Sequence, residues 1–76
     1  MANQDLLAVI GANLRAERAR RNFSQEDLAH AAGMAVTQVA RMERGEVDSG
    51  ITKYVRIAQA LGVEVATLLE GIGSVK

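Results

Sequence analysis

The 76-residue chain predicts an all-α fold, a compact five-helix domain spanning residues 1–76, on three observations. Apolar residues recur at three- and four-residue intervals, the signature of amphipathic helices. Ala, Leu, Arg, Glu and Gln dominate the composition, and all are good helix formers. Proline is absent, which leaves glycine to punctuate the chain. With 49% hydrophobic residues but only Tyr54 and Phe23 as aromatics, the core must be aliphatic. No cysteine is present, so neither a disulfide nor a thiolate metal site can supplement packing.

In the first helix, expected over about residues 3–21, Leu7, Ile10 and Leu14 form the inward stripe that Arg18 and Arg21 continue. Gly11 weakens this helix locally by up to ~1 kcal/mol. Asn22 and Phe23 connect it to the next, with Phe23 placed to staple against it. Ser24 followed by Asp27 resembles a capping box and starts a second helix over about 25–32, carrying Leu28, Ala29 and Ala32 inward. Gly33 ends it with positive φ, and the third helix runs over about 36–44 with Val39 and Met42 inward. Met34 also reads as core. The small residues Ala29, Ala32 and Gly33 point to a close, roughly perpendicular crossing of helices 2 and 3. Beyond Gly45 and the acidic loop, a fourth helix over about 51–61 shows the stripe Ile51, Tyr54, Val55, Ala58 and Leu61. Gly62 and Val63 suggest a Schellman ending, a fifth helix covers about 65–70, and Gly71, Gly73 and Ser74 suggest a frayed tail.

Two short helices meeting at a glycine form a helix-turn-helix unit, which presents one exposed helix of a size that enters a DNA major groove. Net charge is zero, but it is unevenly spread. Residues 13–44 carry six Arg (Arg15, Arg18, Arg20, Arg21, Arg41, Arg44) against Glu17, Glu26, Asp27 and Glu43. Arg is the side chain whose planar fork matches phosphate and guanine; decoration of solvated helix faces is the alternative reading.

The segments IGANLRAERARRNFSQEDLA, AGMAVTQVARMERG and YVRIAQALGVEVATLL resemble the phage-repressor (Cro/cI-like, xenobiotic-response-element) helix-turn-helix family, the lambda-repressor-like DNA-binding fold. Within that family an isolated domain of this length is similar to controller proteins of restriction-modification systems and to small phage or plasmid repressors. The resemblance implies a sequence-specific transcriptional regulator that binds double-stranded DNA as a homodimer on a pseudo-palindromic operator, with RNA polymerase as a further partner. It also implies that Arg18 and Glu43 form a partly buried salt bridge, unrelated surface charges being the alternative. One recognition helix covers few base pairs, so two copies reading half-sites roughly 34 Å apart are expected. Val63, Val65, Leu69 and Ile72 are the candidate dimer interface, with the edge of the monomer core as the alternative and Leu68 assigned to the core.

If the third helix enters the groove, its outward residues Val36, Thr37, Gln38 and Arg41 are the candidate base readers. Arg41 leads, with a fork suited to guanine, and Thr37 lies one turn before it on the same face. Gln25, at the positive end of the second helix, is a phosphate candidate, as its family counterpart contacts the DNA backbone or a nearby base. Arg44, Ser49 and Thr52 are further phosphate candidates, setting register without reading sequence. Two residues depart from the family pattern. Ala35 stands where relatives have a Ser or Thr cap, a deficit of roughly 0.5–2 kcal/mol for that helix. Glu46 and Asp48 place negative charge in a loop expected to run near phosphates.

A protein-interaction module, such as an antitoxin or anti-repressor keeping the fold, is the competing class, favoured by neutral charge and by Ala35 and Ala40. Catalysis is not expected: His30 is the sole histidine and reads as a surface residue, with a phosphate or partner contact as the alternative. No cofactor, metal or small-molecule ligand is implied. No leader pattern or ~20-residue apolar run is seen, so a cytoplasmic protein without a membrane span is expected.

Overall fold

The computed structural model describes residues 2–72; the part of the expected frayed tail at Gly73 and Ser74 lies outside the described residues. Four α-helices, α1 (Asn3–Arg20), α2 (Gln25–Ala32), α3 (Val36–Glu43) and α4 (Ile51–Leu61), are followed by a 3-10 helix at Val65–Leu69. The expected fifth α-helix is thus corrected to a tighter 3-10 turn. A five-residue segment bounded by two glycine turns is too short to repay α-helix nucleation, whereas 3-10 geometry suits short pieces. Among the described residues, no helix is long and apolar enough to cross a membrane.

Local chemistry sets the boundaries. The Ser24 hydroxyl accepts from the Asp27 N–H, and the Asp27 carboxylate accepts from the Ser24 N–H, both at 2.9 Å, completing the capping box that opens α2. The Ser24 N–H bond holds the Asp27 carboxyl below its usual range. Each α-helix ends in a Schellman turn, in which the residue after the left-handed position donates back to the carbonyl five residues earlier. Phe23 does so to Arg18, Met34 to Ala29, Glu46 to Arg41 and Val63 to Ala58. The left-handed residue of the first is Asn22, at φ 56°, a role not foreseen for it.

By contrast α3 begins at Ala35, which has the extended backbone of a cap and no side-chain bond to offer. Ala35→Ser is accordingly expected to raise stability by about 1 kcal/mol in denaturant unfolding; an unchanged midpoint would show that the N–H groups at the start of α3 are already satisfied by solvent.

The core consists of Leu14, Leu28, Ala29, Ala32, Val39, Met42, Tyr54, Ile57, Ala58, Leu61 and Leu68, with Ile10, Phe23, Met34, Val47, Ala60, Val63 and Val65 packed against it. The α4 stripe needs correction: Ile51 is 64% exposed, whereas Ile57 is fully buried. Ile51 sits in the first turn, beyond the reach of the core, and the buried arc of α4 is centred between Tyr54 and Leu61. Helix α1 packs on α3 and the 3-10 helix, α2 packs on α3 and α4, and α4 closes on the 3-10 helix. Asn13 ties α1 to the 3-10 helix and the residue after it, its side-chain amide donating to the carbonyls of Leu68 (3.0 Å) and Glu70 (2.8 Å).

Gly33 does not contribute to a close approach of α2 and α3, since an added Cβ there would meet nothing within 4 Å. Gly33 serves the left-handed turn alone, at φ 70°. A tight crossing lies between α1 and the end of α3. A Cβ on Gly11 would fall 2.4 Å from the Glu43 carbonyl oxygen, and one on Gly45 would fall 2.8 Å from the backbone of Ala8. Ala29 and Ala32 are buried as expected, with α2 packed on α3, and the crossing of α1 with the end of α3 adds a second place where small residues are required.

Candidate nucleic-acid interface

The orientation of α3 is locked by a junction of side chains from three helices. Arg18 on α1 donates through Nε to Glu43 Oε2 at 2.5 Å and through Nη2 to Oε1 at 3.1 Å, while Nη1 reaches the Phe23 carbonyl at 2.8 Å. Gln25, at the start of α2, donates its amide to the same Glu43 Oε1 at 3.0 Å. The Glu43 side chain is only 2% exposed and that of Arg18 18%. Thus the expected Arg18–Glu43 bridge is present, and Gln25 joins it. One N–H of the Gln25 amide is spent here and a second remains. The backbone N–H groups of Gln25 and Glu26, which the helix itself leaves without partners, open the same corner.

With Val39 and Met42 buried, α3 turns Val36, Thr37, Arg41 and Arg44 outward. Thr37, Arg41 and Arg44 follow one another at helical spacing, so their side chains form a single stripe. Gln38 is half-buried and donates to the Ser49 hydroxyl at 2.6 Å. These two candidates, one read as a base contact and the other as a phosphate contact, therefore meet each other. Because Ser49 accepts this bond, its own O–H is left to donate elsewhere. Tyr54 supports the same loop from below, its hydroxyl donating to the Val47 carbonyl at 3.4 Å. Burial pushes the phenol's pKa up, with Ser49 acting in the opposite direction. Thr52 is exposed in the first turn of α4.

The electrostatics differ from what the Arg count suggested. Arg20 and Arg21 both pair with the buried carboxylate of Glu17, three and four residues before them and so on the same helix face. Arg44 grips Glu46 with two donors, and Arg41 lies 3.9 Å from the same carboxylate. Of the six arginines in this region, only Arg15 makes no ion pair among the described residues. The sequence signal for the Glu46 pairing was a glycine turn followed at once by an acid, which folds that acid back over the last turn of α3.

The four candidate dimer residues occupy unlike positions. Val63 and Val65 are half-buried against the core, Ile72 is half-buried, and Leu69 is exposed. His30 is exposed, at the rim of a shallow depression between α2 and α4 shared with Arg56 and Gln59. Among the described residues there is no cluster of side chains able to hold a metal ion.

Known proteins are similar to this chain in sequence and fold. A hypothetical transcription factor of Neisseria meningitidis serogroup B is 38% identical over 66 residues, which are 87% of this chain and 62% of that protein. The chain thus spans under two thirds of that relative's length. The control protein C.SmaI of Serratia marcescens is 32% identical over 65 residues, 86% of this chain and 77% of that protein. The crystal structure of the restriction-modification controller protein C.AhdI from Aeromonas hydrophila superposes with a TM-score of 0.80 at 32% identity, covering 82% of this chain and 94% of that one. A helix-turn-helix family match over residues 14–68 takes in the Arg18–Glu43–Gln25 junction and the whole outward stripe of α3, and the chain therefore belongs to the helix-turn-helix family.

Proposed function

We propose that the protein is a sequence-specific, DNA-binding transcriptional regulator that inserts α3 into the major groove and acts as a homodimer on a pseudo-palindromic operator, in the manner of the restriction-modification controllers it resembles. The observation that carries this reading is the outward stripe of Val36, Thr37, Arg41 and Arg44 on a short helix whose angle is fixed by a buried three-helix junction. Thr37 and Arg41 take the base edges, with the Arg41 fork on guanine O6 and N7, and Val36 packs on a thymine methyl. Arg44, the Ser49 hydroxyl, Thr52 and the start of α2 at Gln25 take phosphates, which position the helix. Gln38 acts mainly by orienting Ser49. Leu69, the exposed member of the set with half-buried Val63, Val65 and Ile72, is the centre of the dimer contact.

Selection of bound sites from random duplex DNA tests this directly, since the recovered motif reports half-site sequence, spacing and symmetry together. Arg41→Ala is expected to lose about 1–3 kcal/mol of affinity for the selected site and to relax preference at one base pair. Uniform weakening across all sequences would make Arg41 a phosphate contact. Absence of any salt-dependent binding would move the chain to the protein-interaction class. A sedimentation profile that stays monomeric at high micromolar concentration would rule out the dimer.

A further inference from the structure

We propose that Glu46 is a built-in counterion for Arg44, a carboxylate that occupies the arginine fork where a DNA phosphate would sit and that DNA must displace. The inference rests on the reading of α3 as the DNA-binding helix and names a residue that sets the strength of its sequence-independent attraction. Arg44 donates through Nε to Glu46 Oε2 at 2.8 Å and through Nη2 to Oε1 at 3.1 Å. Two parallel donors on two acceptor oxygens is also how Arg holds phosphate, so the two anions compete for one site. Arg41 approaches the same carboxylate to 3.9 Å, which places Glu46 between the two outward arginines of α3.

The position of Glu46 is set by the backbone and not by the ion pair. Gly45 turns left-handed at φ 70°, and the Glu46 N–H returns to the Arg41 carbonyl at 3.0 Å, so residue 46 is folded back over the last turn. Gly45 lies against the backbone of Ala8, where a Cβ would fall 2.8 Å away, so the turn is seated on α1. The pair adds little to the fold, because the side chains of Arg44 and Glu46 are 53% and 48% exposed, and exposed ion pairs are weak. Arg44 also holds the Glu46 carboxyl below its ordinary range, so the counterion stays charged where the protein works.

The consequence is a reduced release of salt ions on binding. A phosphate reaches Arg44 only by displacing Glu46, and the displaced carboxylate stays nearby to offset the arginine's charge and repel the backbone. Removing it restores a full phosphate contact, worth roughly 0.9 in the slope of log affinity against log salt.

The test is fluorescence anisotropy of wild type, Glu46→Gln, Arg44→Ala and the double variant on a random-sequence duplex between about 50 and 200 mM salt, with thermal melts to confirm folding. Glu46→Gln is expected to bind roughly three- to tenfold tighter, with a salt slope steeper by about 0.9. That gain should vanish in the Arg44→Ala background. A gain that persists without Arg44 would show that Glu46 acts through Arg41 or by long-range repulsion and overturn its role as the Arg44 counterion, as would unchanged or weaker binding by Glu46→Gln. If Arg44→Ala alone leaves binding unaffected while DNA is still bound, Arg44 is not a phosphate contact and the counterion role falls. If wild type shows no salt-dependent binding, the DNA-binding reading itself fails.

Discussion

Arg18→Ala and Glu43→Ala are each expected to destabilise the protein by about 3–5 kcal/mol, because removing one partner of a buried, hydrogen-bonded pair strands the other. The two losses should be unequal. Without Arg18, the Glu43 carboxylate is left in a site where its side chain is 2% exposed, with only the Gln25 amide to satisfy it. Without Glu43, the Arg18 guanidinium keeps its bond to the Phe23 carbonyl and, at 18% exposure, some access to water. Arg18→Ala therefore belongs at the upper end of the range. For a chain of this length even the lower end lowers the melting midpoint by more than about 12 °C. Thermal and urea unfolding of both variants measure this, and losses under about 1 kcal/mol would mean that the junction is dispensable for folding. DNA affinity should fall with stability, since the same three residues hold α3 against α1 and α2.

Gly11→Ala is the second large effect, and its sign is opposite to helix propensity. In an exposed helix interior, alanine for glycine stabilises by roughly 0.5–1 kcal/mol. Here the new methyl group would lie 2.4 Å from the Glu43 carbonyl oxygen and 2.6 Å from that of Met42. Both are backbone atoms at the end of α3, so relief requires the two helices to separate. Forcing extra volume into a packed crossing costs typically 1–3 kcal/mol, which outweighs the propensity gain. A net loss in urea unfolding is the expected result, accompanied by weaker DNA binding because α3 is displaced from its seat. A stabilised variant would show that α1 can slide without disturbing α3.

Periodicity and turn chemistry made the helices legible. The capping box at Ser24 and the turns at Gly33, Gly45 and Gly62 are local devices whose partners lie within five residues, so their energetics are written in short stretches of chain. Val39 and Met42 announced the inner face of α3, and the outward stripe of Val36, Thr37, Arg41 and Arg44 followed by elimination. Asn22 was less visible, because asparagine is one of few non-glycine residues that accept the left-handed region and its type alone does not distinguish a turn from a surface.

What composition could not show was how charge is spent. Counting arginines suggested a positive face, but Glu17, Glu43 and Glu46 return most of it to internal partners. The Gln38–Ser49 bond was similarly hidden, since eleven positions separate its ends and both residues are common on surfaces.

The sequence by itself determined that this is an all-α chain with a helix-turn-helix unit, where its first four helices start and stop to within a residue, and which face of α3 looks outward. Those properties depend on backbone hydrogen bonds and side chains no more than a turn or two apart. Only the tertiary structure decided that α1 crosses the end of α3 closely at Gly11 and Gly45, that Gln25 joins the Arg18–Glu43 pair, that Ile57 and not Ile51 is core, and that Glu46 covers Arg44. The physical reason is common to most of them. A close approach, a shared carboxylate or a buried arc is a relation between elements that meet only once the chain has collapsed, and their distance of closest contact is not encoded in either partner alone. For Glu46 the relation is local in sequence, but its outcome depends on the turn that Gly45 makes against α1.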